Sequence, residues 1–164
     1  MRRAYLANDV YPPAENDVPR WLNEGLAQIF ETAVLEAGEL RVGRPDPKRL
    51  TRIKDVVRKN ELIPLADLLM SGTKQFIVAH ANENQASDRS YLNSWALAFY
   101  LTFDRRLLGT QTLDEYVRDL KAGAHVQQAF EKLVGKPLPS FEEDFRRYLL
   151  ALREDGTLAK QTEK

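Results

Sequence analysis

Apolar residues recur at helical spacing along most of the chain. The first such stripe follows Asp17 and Pro19, a cap and first-turn pair, and Gly38 stops it. The spacing predicts a helix running to about Ala37. Its stripe consists of Leu22, Leu26, Ile29, Phe30 and Ala33.

Two shorter helices are predicted next. Pro45-Asp46-Pro47 opens one of them, and Pro64 opens another over Leu65 to Met70 that Gly72 ends. The face of the former carries Leu50, Ile53, Val56 and Val57. Between the helices, Glu39 to Gly43 predicts a short strand or turn, and Phe76 to Ala79 is apolar but ambiguous.

A long apolar helix follows, with Ser87 or Asp88 as its predicted cap. Its members Trp95, Leu97, Phe99, Tyr100 and Leu101 make it apolar on nearly all sides. A helix of that kind belongs in the centre of a domain.

Three amphipathic helices complete the pattern, and the last has a capping box formed by Ser140 and Glu143. The first of them carries Leu113, Tyr116, Val117 and Leu120, and the second carries Val126, Ala129, Phe130 and Leu133 before Gly135. The prediction is an all-α (mainly α) irregular helical bundle in a single domain over residues 1–152. Residues 153–164 form a polar tail that is expected to fray.

Composition excludes several classes of function. The 164 residues include 43% hydrophobic residues, 24 basic and 24 acidic residues and no cysteine. This rules out a disulfide framework, a thiol nucleophile and a cysteine zinc site. The zero net charge predicts no nucleic-acid partner, and no apolar run approaches the roughly 18 residues of a membrane span. A basic stretch from Arg44 to Lys59, interrupted by Asp46 and Asp55, is predicted to be a solvated face.

The segment from Pro19 to Glu31 carries the candidate chemistry. Gly25 lies within the predicted helix, where glycine costs about 1 kcal/mol relative to alanine, so another backbone is expected to approach it closely. Glu24 lies beside it, off the Leu22 and Leu26 stripe. From the pattern alone, Glu24 is a solvated surface charge.

The string Trp-Leu-Asn-Glu-Gly-Leu-Ala at residues 21–27 resembles the second metal-binding helix of gluzincins, the group of thermolysin and aminopeptidase N. It is most similar to peptidase-MA-like domains of unknown function. In gluzincins, an H-E-x-x-H helix supplies two zinc-binding histidines, and a glutamate on the next helix supplies the third ligand, leaving one position for water. The resemblance implies that Glu24 is that ligand, and that Gly25 and Ala27 let the two metal helices pack closely.

A second segment, Ser90 to Leu101, resembles the aminopeptidase pattern Tyr-x-Lys-Gly-Ala followed by an apolar helix. The resemblance implies that the hydroxyl of Tyr91 binds the oxyanion of the tetrahedral intermediate. Asn93 and Ser94 replace the Lys-Gly of that pattern. The alternative is that Tyr91 is an aromatic residue near the helix cap that packs on the core.

The sequence contains no H-E-x-x-H, and its only histidines, His80 and His125, lack a second histidine four residues away. Each is predicted to be a surface or structural histidine. On the spacing of aminopeptidases the second zinc histidine would fall near Tyr5, where no ligand occurs. Either the motif lies upstream of Met1, the interpretation we favour, or the chain is a degenerate, non-catalytic relative.

The expected function is therefore part of a zinc metallopeptidase that hydrolyses peptides or proteins in a complete parent, with this chain inactive and without zinc by itself. The alternative is a pseudopeptidase or a helical protein-interaction module. Without the first metal helix, Glu24, Gly25 and Tyr91 are expected to face an apolar groove that favours a homodimer. An extracytoplasmic location would require a signal upstream of this sequence.

Overall fold

The computed structural model describes residues 18–72 and 81–160, and within them the chain is mainly helical, which confirms the predicted fold class. The helices are α1 (Arg20–Glu31), α2 (Pro47–Arg58), α3 (Leu65–Leu69), α4 (Ala81–Phe99), α5 (Gln111–Lys121), α6 (Val126–Val134) and α7 (Leu138–Ala151). A π-helical turn, Tyr100–Asp104, continues α4, and a small hairpin joins β1 (Val34–Glu36) to β2 (Glu39–Arg41). The ambiguous segment Phe76 to Ala79 lies outside the described residues.

Helix α4 is the centre of the bundle, as its composition predicted. Every residue from Leu92 to Leu101 is buried, and α1, α2 and α3 all pack against this helix. On the other side of the core, α7 packs against α2, α3 and α6. Among the helices of the described ranges, none has both the length and the apolar character that crossing a membrane requires.

The predicted end of the first helix is wrong. Helix α1 ends at Glu31, and the chain turns into a hairpin that pairs Val34 with Arg41 and Glu36 with Glu39. Ala37 and Gly38 form its two-residue turn with φ of 53° and 83°. Two positive φ values are typical of the turn that matches the twist of paired strands, so Gly38 closes a hairpin instead of a helix. The predicted strand or turn at Glu39 to Gly43 is confirmed as β2.

The predicted helices α2, α3, α5 and α6 are confirmed. Asp46 caps α2, because its side chain accepts a hydrogen bond of 2.8 Å from the N–H of Arg49. Thr110 caps α5 in the same way, and Gly135 ends α6 with a φ of 73°. Each of these boundaries depends on residues within a few positions of it, which is why the sequence pattern predicts them.

Two helix starts differ from their predictions. The described part of helix α4 already includes Ala81, so Ser87 and Asp88 lie inside the helix instead of capping it. Helix α7 begins at Leu138, so Ser140 and Glu143 lie within its first two turns and do not form the predicted capping box. The N–H of Leu138 donates instead to Glu131 of the preceding helix at 2.9 Å. A residue from outside the helix has taken over the cap.

The first part of the polar tail is ordered by backbone pairing, contrary to the predicted fraying. Leu152 and Leu158 form an antiparallel bridge, and the N–H of Ala159 donates to the carbonyl of Ala151 at 2.7 Å. A turn closed at Gly156 reverses the chain between them. Residues 153–160 therefore fold back on the end of α7.

Candidate functional site

Glu24 lies in the interior of the protein. Eight of the twelve residues of α1 are buried, and Glu24 has 0% of its surface exposed. A glutamate is almost never fully buried unless it is paired, because removing a carboxylate from water is costly. The interpretation of Glu24 as a solvated surface charge, drawn from the helical pattern alone, is therefore wrong.

Arg20 forms an ion pair with the buried carboxylate. Its guanidinium Nη2 lies 3.0 Å from Glu24 Oε1, and the two side chains are 34% and 1% exposed. Arginine four residues before glutamate is the less favourable order for an ion pair on a helix, and the helix dipole disfavours a cation in the first turn. The pair is therefore explained by the need of the buried carboxylate for a cation.

Gly25 confirms the prediction of a close backbone approach. A Cβ atom at this position would lie 2.4 Å from the carbonyl oxygen of Ser94 and 2.6 Å from the Cβ of Ala98. The neighbour is therefore α4 of this chain, whereas the resemblance implied a separate metal helix on this side. Glycine is required here because α1 and α4 are in backbone contact.

Gln28 joins the two predicted site residues through their backbones, and the sequence pattern did not single it out. Its side-chain Nε2 donates to the carbonyl oxygen of Glu24 at 3.1 Å and to that of Tyr91 at 2.8 Å. Gln28 is 8% exposed, and its bond to the Glu24 carbonyl is buried, whereas its bond to the Tyr91 carbonyl is partly buried. The sequence could have indicated Gln28 through its spacing, because residues i and i+4 share a helix face and Gln28 lies four residues after Glu24.

Asn93 and Ser94, which replace the Lys-Gly of the aminopeptidase pattern, are both buried. The Oδ1 of Asn93 accepts a hydrogen bond of 3.2 Å from the N–H of Ile63, and its Nδ2 donates to the carbonyl of Arg89 at 2.8 Å. Asn93 therefore attaches the loop before α3 to α4. Ser94 contributes the carbonyl that meets Gly25, and its hydroxyl has no hydrogen-bond partner among the described residues.

An open cleft of about 270 Å³ lies where α1, α2 and α4 meet, and we call it the interhelical cleft. Its lining consists of Gln28, Glu31, Arg49, Arg52, Asp88, Tyr91 and Leu92. Half-buried Tyr91 therefore faces a space that a small molecule can enter, whereas Glu24 does not line this cleft. Gln28 bonds to the backbone carbonyls of both residues, but the two side chains do not line the same cleft.

The prediction that Glu24 and Gly25 face an open apolar groove is wrong for the part of the chain that the structure describes. Both residues are buried, and Gly25 is covered by α4. The homodimer predicted through that groove stays a prediction.

The donors available for zinc are incomplete in the described residues. No group of three histidine, cysteine, aspartate or glutamate side chains that could hold a metal ion occurs in residues 18–72 and 81–160. His125 is exposed at the start of α6, as predicted for a surface histidine, and His80 lies outside the described residues. Glu24 would therefore be a single ligand that needs partners from elsewhere.

Comparison with known proteins gives one match. A family model described as protein of unknown function (DUF1570) matches residues 6–122, a range that contains α1 to α5 and both predicted site residues. No curated protein and no solved structure matches the chain.

Proposed function

We propose a function for this chain, which belongs to the DUF1570 family of proteins of unknown function: it is one part of a gluzincin-like zinc peptidase, and Glu24 supplies one metal ligand. The observation that carries the proposal is the complete burial of Glu24 inside the Trp-Leu-Asn-Glu-Gly motif. A buried carboxylate has an unfavourable desolvation energy that a cation offsets, and a divalent metal offsets it more strongly than one arginine.

The carboxylate is chemically suited to zinc, but the donor set is not complete. Zinc in hydrolases takes three protein ligands and leaves one position for water. The two histidines would come from a segment that this sequence does not contain, so by itself the chain is not expected to bind zinc or to hydrolyse peptides. Arg20 and a metal would compete for the Glu24 carboxylate, because both are cations that need its oxygens.

Tyr91 is the proposed contact with the substrate. It lines the interhelical cleft, and the bond from Gln28 to its carbonyl oxygen holds its backbone in place. A phenolic hydroxyl held in a cleft can donate a hydrogen bond to the oxygen that gains negative charge when a peptide carbonyl is attacked. Packing on the core remains the alternative role for a residue that is half-buried.

A non-catalytic helical module is the second candidate function. The ion pair between Arg20 and Glu24 favours it, since that pair already supplies the buried carboxylate with a cation. In this case α1 and α4 would be a scaffold whose Glu24 stays bound to arginine and never meets a metal.

Zinc analysis of a longer protein separates the two functions. The chain is produced together with any coding sequence that precedes it in its gene, and bound zinc is measured by plasma mass spectrometry. We expect stoichiometric zinc, its loss in Glu24→Gln, and its retention in Glu31→Gln, which changes an exposed glutamate of the same helix. If no H-E-x-x-H precedes the chain and the longer protein holds no zinc, the peptidase proposal is wrong.

Peptide cleavage by the same longer protein tests Tyr91. We expect Tyr91→Phe to keep its zinc and to lose activity in kcat, because only the hydroxyl that stabilises the transition state is removed. Unchanged kcat in Tyr91→Phe would assign this residue to packing.

A further inference from the structure

The interhelical cleft carries charges that the proposed peptidase does not use. Of its four charged side chains, Arg52 and Asp88 form an ion pair with each other across the gap between α2 and α4. That pair is about half exposed on both sides, so it forms a neutral wall of the cleft.

The other two charged side chains, Arg49 and Glu31, have no partner in residues 18–72 and 81–160. Neither side chain forms a hydrogen bond or ion pair with any described residue, although both line the same cleft. Arg49 is half-buried at the start of α2, and Glu31 is exposed at the end of α1. The cleft therefore offers one cation and one anion to a molecule that enters it.

Gln28 and Leu92 line the cleft together with these charges. The side chain of Gln28 donates hydrogen bonds to two backbone carbonyls, and Leu92 is 3% exposed. Both charges are therefore available to a ligand, because both side chains line the cleft and neither has a partner among the described residues. The volume of about 270 Å³ is below the range of about 300–1,000 Å³ for drug-sized ligands, which favours a small guest.

We propose that the interhelical cleft binds a small zwitterion, an α-amino acid or a short peptide with free termini. The planar guanidinium of Arg49 takes the carboxylate through two parallel hydrogen bonds, a geometry that arginine provides and lysine does not. The carboxylate of Glu31 takes the ammonium group. Binding of the zwitterion is independent of any metal; that the guest is the end of a peptide cleaved near Tyr91 rests on the proposed function.

The pairing of opposite charges distinguishes this guest from a simple anion or cation. An anion alone would be attracted by Arg49 and repelled by Glu31, and a cation alone would experience the reverse. Only a molecule that carries both charges satisfies both side chains at once.

The test is a titration of the isotope-labelled 164-residue chain, observed through its backbone amide resonances, with alanyl-alanine as the probe. We expect saturable shifts at Gln28 and Tyr91, and at least about ten-fold weaker binding for N-acetyl-alanyl-alanine and for alanyl-alanine amide, since each lacks one charge-assisted contact. Arg49→Gln and Glu31→Gln are expected to weaken binding of the dipeptide by a similar factor. Arg58→Gln, which changes an exposed arginine of α2 that pairs with Asp55, serves as the matched control.

Three results would overturn the proposal: no saturable shift at tens of millimolar dipeptide, equal binding of the N-acetylated probe, or unchanged binding in Arg49→Gln. Dispersed amide spectra of the variants establish that they are folded. Because the titration needs no zinc, its failure leaves the peptidase proposal intact, and loss of zinc binding in the longer protein leaves this result intact.

Discussion

Two regions along the central helix α4 differ in the kind of side chain that they bury. At its contact with α1, the interior contains a carboxylate, an amide and a hydroxyl, those of Glu24, Gln28 and Ser94. At its other end, the π-helical turn begins a cluster of aromatic rings from α4 and α7. The first region holds polar groups that are costly to bury, whereas the second buries large apolar surfaces.

The aromatic cluster is centred on Tyr100. Its ring centroid lies 4.4 Å from that of Tyr148, 5.5 Å from that of Phe141 and 5.6 Å from that of Phe145. Burial raises the pKa of the Tyr100 and Tyr148 hydroxyls, with the Asp104 carboxylate adding to the effect, so both stay neutral at ordinary pH. Such rings contribute to stability through area and contact geometry.

The comparison teaches where function is to be sought in this fold. Buried polar groups and ion pairs often stabilise less than apolar residues of similar volume would. A carboxylate at 0% exposure, beside a glycine that allows backbone contact, is a feature that stability alone does not explain. The α1–α4 contact is therefore the better candidate for chemistry, and the aromatic cluster for stability.

The largest effect is expected in the aromatic cluster. Phe141→Ala should lower the free energy of unfolding by about 3–5 kcal/mol, because a fully buried ring leaves a cavity. Urea unfolding followed by circular dichroism measures it. Phe103→Ala, at a partly exposed ring, is the control and should cost less. A loss below about 1 kcal/mol for Phe141→Ala would remove the contrast between the two regions.

The next effect concerns the ion pair in the α1–α4 contact. Arg20→Ala should lower the free energy of unfolding by up to about 3 kcal/mol. Breaking a fully buried ion pair costs about 3–5 kcal/mol, and the effect here is smaller because the Arg20 side chain is partly in water. In the double variant Arg20→Ala with Glu24→Gln, most of the lost stability should be recovered, because the buried charge has been removed. Arg118→Ala, on an exposed position of α5, is the control in the same unfolding assay.

Failure of that recovery has a clear meaning. If Arg20→Ala and the double variant with Glu24→Gln were equally unstable, Arg20 would act by packing and the buried charge would not be the source of the cost. Glu24→Gln alone is expected to keep or raise stability, in contrast to any truncation in the aromatic cluster.

Gly25→Ala should cost about 1–3 kcal/mol, the usual range for inserting a methyl group into a packed contact. This is the reverse of the gain that alanine normally brings inside a helix. The new Cβ would meet the Ser94 carbonyl and the Cβ of Ala98. Adding Ala98→Gly should not restore full stability, because the carbonyl contact persists. A stabilised Gly25→Ala would show that α1 and α4 can separate at no cost.

The smallest effect is a pH dependence outside both regions. The hydrogen bond from the N–H of Leu138 holds the pKa of Glu131 below its ordinary value of 4.5. Stabilisation by this carboxylate is therefore present above pH 4.5 and is lost as the pH falls through the lowered pKa of the folded protein. Glu131→Gln should reduce the acid sensitivity of the unfolding midpoint, and Glu143→Gln should not. If both variants changed the acid sensitivity equally, Glu143 would also cap α7, as the predicted capping box requires.

The sequence predicted those helix boundaries that are decided locally and missed those decided by contacts. Asp46 and Thr110 cap their own helices, so a short window of sequence contains the necessary information. Glu131 on α6 instead accepts a hydrogen bond from the first N–H group of α7. Glu142 on α7 does the same for the first N–H group of α3. No local pattern distinguishes such a glutamate from a solvated one.

The candidate site shows the same division. The Trp-Leu-Asn-Glu-Gly string singled out Glu24, and the helix glycine indicated a close approach, both from the sequence. That Gly25 contacts α4, that Gln28 bonds to Tyr91, and that Arg49 shares a cleft with Tyr91 are long-range facts. The helical period states which residues share a face but not what lies opposite that face.

By itself, then, the sequence determined the mainly helical class, the central position of α4 and the identity of the unusual glutamate, because periodicity and composition act along the chain. The tertiary structure alone decided that Glu24 is buried beside Arg20 and that one cleft holds two opposite charges without partners among the described residues. Burial and charge pairing depend on contacts with residues that are distant in the sequence. The same carboxylate is therefore a solvated group on an isolated helix and an interior one in the folded chain.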